Sequence, residues 1–147
     1  MKEAIKQAKK AEQIDDVPVG AVIALDGKII ARGYNKRTRN EQTADHAEMI
    51  AIRKACKKVG SWRLEDCTMY VTLEPCPMCA GAIFQSRMKR VVYGAKDLKA
   101  GALGSKMDLF SIERLNHYPE IEGGILEEEC SQLLKQFFKK LRNKPAK

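Results

Sequence analysis

The alternation of apolar and polar positions divides the chain into short segments of two different periods. Residues 2–13 carry Ala4, Ile5, Ala8 and Ala11 at helical spacing, which predicts a helix with a small-residue face. Val17 to Leu25 is apolar and β-rich, Asp26-Gly27 is a tight-turn pair, and Lys28 to Tyr34 returns, so 17–34 reads as a β-hairpin. The polar stretch from Asn35 to Asp45 has no period and reads as a loop. From His46 to about Val59, Met49, Ile52, Cys56 and Val59 recur at steps of three and four, predicting a helix stopped by Gly60. Thr68–Leu73 reads as a strand, Pro75–Ser86 as a helix with prolines in its first turn, and Arg90–Tyr93 as a strand. A loop from Gly94 to Ser105, a short helix and a weak strand near Tyr118–Glu122 follow. The last helix, about 126–142, places Leu126, Cys130, Leu133, Leu134, Phe137 and Leu141 on one face.

The resulting order, α-β-β-α-β-α-β-α-β-α, predicts one sheet covered by helices on both sides, its first pair antiparallel. There are no internal repeats and no low-complexity linker, and 147 residues suit one domain, taken as 1–147. No apolar run approaches the roughly 18 residues of a membrane span. Met1-Lys2-Glu3-Ala4-Ile5 lacks the apolar core of a signal peptide, so a soluble, cytoplasmic protein without a membrane partner is expected.

Five cysteines, two of them in Cys76-x-x-Cys79, favour metal ligation or redox chemistry over a disulfide framework. Cys56, Cys67 and Cys130 stand alone in apolar patterns and read as small buried hydrophobes. The formal charge of +8 gathers at Lys36-Arg37-Arg39, at Arg87-Lys89-Arg90 and along Lys135-Lys139-Lys140-Arg142-Lys144-Lys147. Brought to one side of the fold, these would attract phosphates; left apart, they are solvated faces.

The chemistry concentrates in His46-Ala47-Glu48 and Pro75-Cys76-Pro77-Met78-Cys79. One histidine and two cysteines are zinc ligands that leave a fourth tetrahedral position for water. Both groups fall at predicted helix starts, where the peptide dipoles favour thiolates. A centre with two thiolates acidifies water less than an all-histidine site, so a nearby carboxylate is useful, and Glu48 is the candidate. Residues two apart on a helix diverge by about 200°. His46 and Glu48 can therefore serve one site only if the metal lies beyond the helix end. A structural zinc completed by His117 or another cysteine is the competing reading of the same residues.

Taken together, the two motifs resemble the cytidine-deaminase-like superfamily, which implies a three-layer α/β/α fold with a central mixed five-stranded sheet. The resemblance also implies one zinc ion per chain on His46, Cys76 and Cys79. Zinc would activate water for attack at C6 of adenine or C4 of cytosine, with Glu48 as the catalytic proton shuttle.

From Lys2 to Arg142 the sequence is similar to the bacterial tRNA-specific adenosine deaminases. The matching stretches include Val17-Pro18-Val19-Gly20-Ala21-Val22, Tyr70-Val71-Thr72-Leu73-Glu74-Pro75-Cys76 and Val92-Tyr93-Gly94-Ala95-Lys96-Asp97. That likeness implies adenosine-to-inosine conversion at the wobble position of a tRNA anticodon stem-loop, by a homodimer. It implies that Asn35 bonds the flipped base, that Asp97 and Lys99 lie beside the RNA, and that Asn116 contacts the anticodon loop. Phe137 or Phe138 would pack near a neighbouring base, and Phe138, off the apolar stripe, is the better placed. A free-base or nucleoside deaminase acting on guanine or cytosine, and a non-catalytic zinc-stabilised RNA-binding module, are the alternatives. The chain departs from the family at Asp45, where a small residue usually precedes the histidine. Asp45 either caps the helix or alters the pocket.

Overall fold

The computed structural model describes residues 1–144. Lys147 of the basic run and the last three positions of the expected domain lie outside the described residues. Among the described residues, five helices, α1 (Lys2–Gln13), α2 (Arg37–Asn40), α3 (Ala47–Val59), α4 (Pro77–Gln85) and α5 (Glu127–Arg142), accompany five strands. The strands are β1 (Gly20–Leu25), β2 (Lys28–Tyr34), β3 (Cys67–Leu73), β4 (Arg90–Ala95) and β5 (Glu120–Glu122).

They form one mixed sheet in the order β2-β1-β3-β4-β5. β1 runs antiparallel to β2 and β3, and β3, β4 and β5 are parallel. α1 and α5 cover one face, and α3 and α4 the other. This is the expected three-layer α/β/α arrangement. No helix among the described residues is long and apolar enough to cross a membrane.

Asp26 and Gly27 both have positive φ, 51° and 76°, which gives the β1–β2 turn the twist that hairpins require. The main core lies between the sheet and α3/α4. There Ala21, Ile23, Met69, Val71 and Val91 meet Ala51, Ala55, Ile83 and Met88. A smaller cluster of Ile5, Ala95 and Cys130 seats α1 and α5 on the opposite face.

Five expectations need correction. The buried face of α3 is Ala47, Glu48, Ile50, Ala51, Ile52 and Ala55, and Val59 is exposed. The small residues win because α3 lies so close to β2 that a Cβ on Gly33 would sit 2.5 Å from the Ala47 carbonyl oxygen. On α5, Phe137 is buried but Leu141 is exposed, in the last turn, where the helix meets the end of α1 through the Lys140–Glu12 ion pair.

The stretch read as loop 35–45 contains α2, whose Thr38 and Arg39 N–H groups donate to the buried Asp16 carboxylate. A long-range cap, rather than periodicity, makes that turn. Finally, the short helix after Ser105 is a single 3₁₀ turn, Leu109–Ser111, and the expected strand at 118–122 shortens to Glu120–Glu122. Of the lone cysteines, Cys67 and Cys130 are buried and Cys56 is half-buried.

Candidate metal centre and its cavity

The sheet order places the end of β3 beside the start of α3, and both ligand segments emerge there. His46 is the N-cap of α3 and Cys76 the N-cap of α4, each with extended backbone, φ −71° and −74°. Pro77 suits the first turn of α4, where its missing N–H costs nothing. Cys79, one turn on, is buried under the same helix end.

The three ligand atoms lie within 4.8 Å of one another. His46 Nδ1 is 3.6 Å from Cys76 Sγ and 3.6 Å from Cys79 Sγ. Tetrahedral zinc with ordinary Zn–N and Zn–S bonds separates nitrogen from sulfur by roughly 3.6 Å, so the donor set fits that ion in type and in spacing. The group lies beyond the ends of two helices, as the His-x-Glu geometry demands.

Proton affinities follow from this crowding. A hydrogen bond from Cys79, with help from His46, lowers the Cys76 thiol to about 4. Cys79, which donates that bond and is buried, is pushed up. The Cys76 sulfur raises the His46 imidazole. These groups therefore share protons that a dication would release. Glu48 is 4% exposed, and burial pushes its carboxyl up to about 7. A carboxyl held near neutrality can both accept and return a proton.

His46, Glu48 and Cys76 line a cavity of about 190 Å³ with Val17, Leu73, Asn35, Arg37 and Asp97. Asn35 is buried and fixed: its Nδ2 donates to the Val17 carbonyl at 3.2 Å, and its Oδ1 accepts from Arg37 N at 3.1 Å. One N–H and one lone pair of its amide remain for another group.

Lys99 lies outside this cavity. It lines a groove with Lys135, Phe138 and Arg142 of α5, so of the three basic segments the C-terminal one reaches this groove, joined there by Lys99 from outside them. Phe138 is 41% exposed there, standing edge-on to buried Phe137. Asn116 sits on the exposed loop before β5 and lines neither the cavity nor the groove. His117 is not a metal ligand; its Nε2 contacts the Met88 carbonyl at 2.6 Å.

Asp45 neither caps α3 nor enters the cavity. Its carboxylate accepts from Asn40 at 2.8 Å and from Arg53 at 2.9 Å, and these bonds, Asn40 first, hold its carboxyl below the usual range. Sequence reasoning missed Glu74, which is 1% exposed and accepts from the loop that follows β4. Its position directly before Pro75-Cys76 was the only signal available.

A family model for MafB19-like deaminases matches residues 1–142. The chain is 55% identical over 144 residues to the tRNA-specific adenosine deaminase of Bacillus subtilis, covering 98% of this chain and 89% of that one. Among solved structures it is similar to one from a study of A-to-I editing by tRNA:A34 deaminases at the wobble position of transfer RNA. The TM-score there is 0.86 at 41% identity, over 91% of this chain and 97% of that one. It is also similar to the guanine deaminase of Bacillus subtilis, with a TM-score of 0.64 at 37% identity, over 99% and 93% of the two chains.

Proposed function

The chain belongs to the MafB19-like deaminase family, and we propose that it hydrolyses adenosine to inosine at the wobble position of a tRNA anticodon. The observation that carries this reading is the convergence of His46 Nδ1 and two cysteine sulfurs on a cavity that also holds the buried Glu48 carboxyl. His46, Cys76 and Cys79 would hold one zinc ion per chain. Bound there, zinc supplies a Lewis acid that makes water nucleophilic near neutral pH.

The chain's own residues supply the rest. Glu48 takes a proton from the attacking water and delivers it to N1 of the purine, then takes the second proton from the hydroxyl now on C6 and passes it to the departing amine as the carbonyl forms. The balance is adenosine plus water giving inosine plus ammonia. The cavity walls, Val17 and Leu73 among them, exclude bulk solvent around the ring, and the remaining N–H and lone pair of Asn35 face its polar edge. A site of about 190 Å³ holds a single base and not a helix, so the nucleotide must be turned out of its stack.

The groove of Lys99, Lys135, Phe138 and Arg142 offers charge for phosphates and an aromatic face for a neighbouring base. Asp97 borders the cavity on the side toward Lys99, and Asn116 is assigned to the anticodon loop from the family likeness alone. α4 leaves Met78, Ala82 and Phe84 only half-buried, an apolar face that suits a homodimer. The active unit is the single domain 1–147, working in the cytoplasm.

The similarity to a guanine deaminase favours a second reading, a free-base deaminase. Replacing Glu48 with Gln, with metal content and turnover measured together, tests the catalytic assignment. The variant keeps one zinc per chain and loses deamination by about 100-fold or more. Retained turnover would leave only a metal-stabilised binding module. Salt separates the two substrate readings, because RNA held by several basic residues dissociates steeply as salt rises and a neutral base does not.

A further inference from the structure

We infer that Glu74 is a positioning residue, a buried carboxylate that shapes the 97–105 loop so that Lys99 meets the RNA. The inference rests on the RNA reading proposed above. Glu74 ends the β3 segment one residue before Pro75, and its side chain is 1% exposed. No lysine, arginine or histidine among the described residues forms an ion pair with it. Its charge is met entirely by the loop. Oε1 accepts from Asp97 N at 3.2 Å and from the Ser105 hydroxyl; Oε2 accepts from Leu103 N at 2.9 Å and Ser105 N at 3.1 Å.

The order continues outward from there. Asp97 Oδ1 accepts from Lys99 N at 3.0 Å and Ala100 N at 3.1 Å. The Asp97 carbonyl accepts from Gly101 N at 2.8 Å, and Ala102 N donates to the Pro75 carbonyl at 2.8 Å. The loop is wound so tightly that a Cβ on Gly101 would lie 2.5 Å from the Glu74 carboxylate.

Asp97 and Ala100 line the cavity, while Lys99 between them turns into the α5 groove. One carboxylate thus fixes the boundary between base pocket and RNA groove, and it does so on the segment that also delivers Cys76. A packed apolar residue could fill the same space, but only a four-fold acceptor satisfies three backbone donors that would otherwise be buried unpaired.

Glutamine distinguishes positioning from mere filling. With its amide nitrogen at the Oε1 place, the Ser105 hydroxyl can reverse and accept, and one backbone donor, Asp97 N, is left unmatched. At the Oε2 place, two are left. Either way the defect falls on the loop and not on the metal ligands.

The test measures binding of a synthetic anticodon stem-loop with adenosine at the wobble position, and single-turnover inosine formation at saturating RNA. Wild type, Glu74→Gln and Ser105→Ala are compared, with zinc content determined for each. Glu74→Gln weakens RNA binding by about tenfold, and Ser105→Ala shifts it the same way by a few-fold. The saturated rate changes much less than the affinity, and zinc stays at one per chain. If Glu74→Gln does not fold, Ser105→Ala decides alone, because it keeps the carboxylate and removes one donor. Unchanged RNA affinity in the folded variants, or a lost saturated rate with affinity intact, overturns the inference. Absence of inosine from the wild-type enzyme would instead defeat the proposed function and leave the loop's role to the binding arm.

Discussion

Replacing Gly33 with alanine should disturb the metal site from across the sheet. Gly33 is the β2 position against which the start of α3 is seated. A Cβ there would stand 2.5 Å from the Ala47 carbonyl oxygen and 2.9 Å from Ala51 N. Both are backbone atoms, which cannot swing aside as a side chain can. Ordinary contact begins near 3.4 Å, so the first turn of α3 must retreat by about 0.9 Å.

Such overpacking costs about 2–3 kcal/mol, which for a chain of this size lowers Tm by roughly 4–12 °C. The same retreat moves His46 and Glu48, which flank Ala47, away from Cys76 and Cys79. Ligand distances tolerate only about 0.2 Å, so zinc affinity should fall by about tenfold or more.

Gly20→Ala is the control. Its Cβ would lie 2.1 Å from the Ala4 carbonyl oxygen of α1, on the opposite face, where no ligand sits. It should cost similar stability and leave zinc affinity within about twofold. Calorimetric unfolding and competition with a chromophoric chelator read the two quantities separately. A Gly33→Ala protein with reduced Tm but undiminished zinc affinity would refute the idea that the seat of α3 fixes the ligand geometry. An undiminished Tm would refute the packing argument itself.

Two further outcomes follow from the polar contacts. Asp45→Ala removes the acceptor shared by Asn40 and Arg53 and should cost about 1–2 kcal/mol in thermal unfolding. It should leave turnover unchanged, since the carboxylate faces away from the cavity. A large loss of turnover at full zinc occupancy would place Asp45 in the pocket after all. The pH dependence of stability should carry a signature of Glu3. Its hydrogen bond to Arg32 ties α1 to β2 and holds its carboxyl below the ordinary value of 4.5. A carboxyl lowered in the folded state stabilises above its unfolded value and loses that contribution as pH falls through the folded one. Glu3→Gln should therefore have a lower Tm than wild type near pH 7, and the gap should narrow as pH falls below the ordinary carboxyl value and on through the lowered folded one. A gap that persists into acid would assign the effect to packing.

The layers and the ligand set were legible in the sequence because each rests on local spacing. The alanine stripe of α1, the Asp26-Gly27 turn and the pair of helix starts bearing His46 and Cys76 need no distant partner to be read. α2 was illegible because its N–H groups are met by Asp16, some twenty residues earlier. The buried face of α3 was misplaced because alanine weighs little in an apolar pattern, yet alanine is what lets that helix approach Gly33. Beyond its place directly before Pro75-Cys76, Glu74 gave no signal because its partners are three backbone N–H groups and a serine, which leave no mark in residue type or period. Asp45 misled for a similar reason: its neighbour in sequence is a ligand, but its neighbours in space are Asn40 and Arg53.

The central claim is that a buried carboxyl and a His-Cys-Cys metal group act on adenosine in RNA. The direct measurement is inosine formed in a single turnover on an unmodified tRNA carrying adenosine at the wobble position, beside ammonia released from free guanine and cytosine. The account predicts inosine at that one position, abolished by Glu48→Gln at full zinc content, and no ammonia from either base. Ammonia from a free base with no inosine in the tRNA would contradict it.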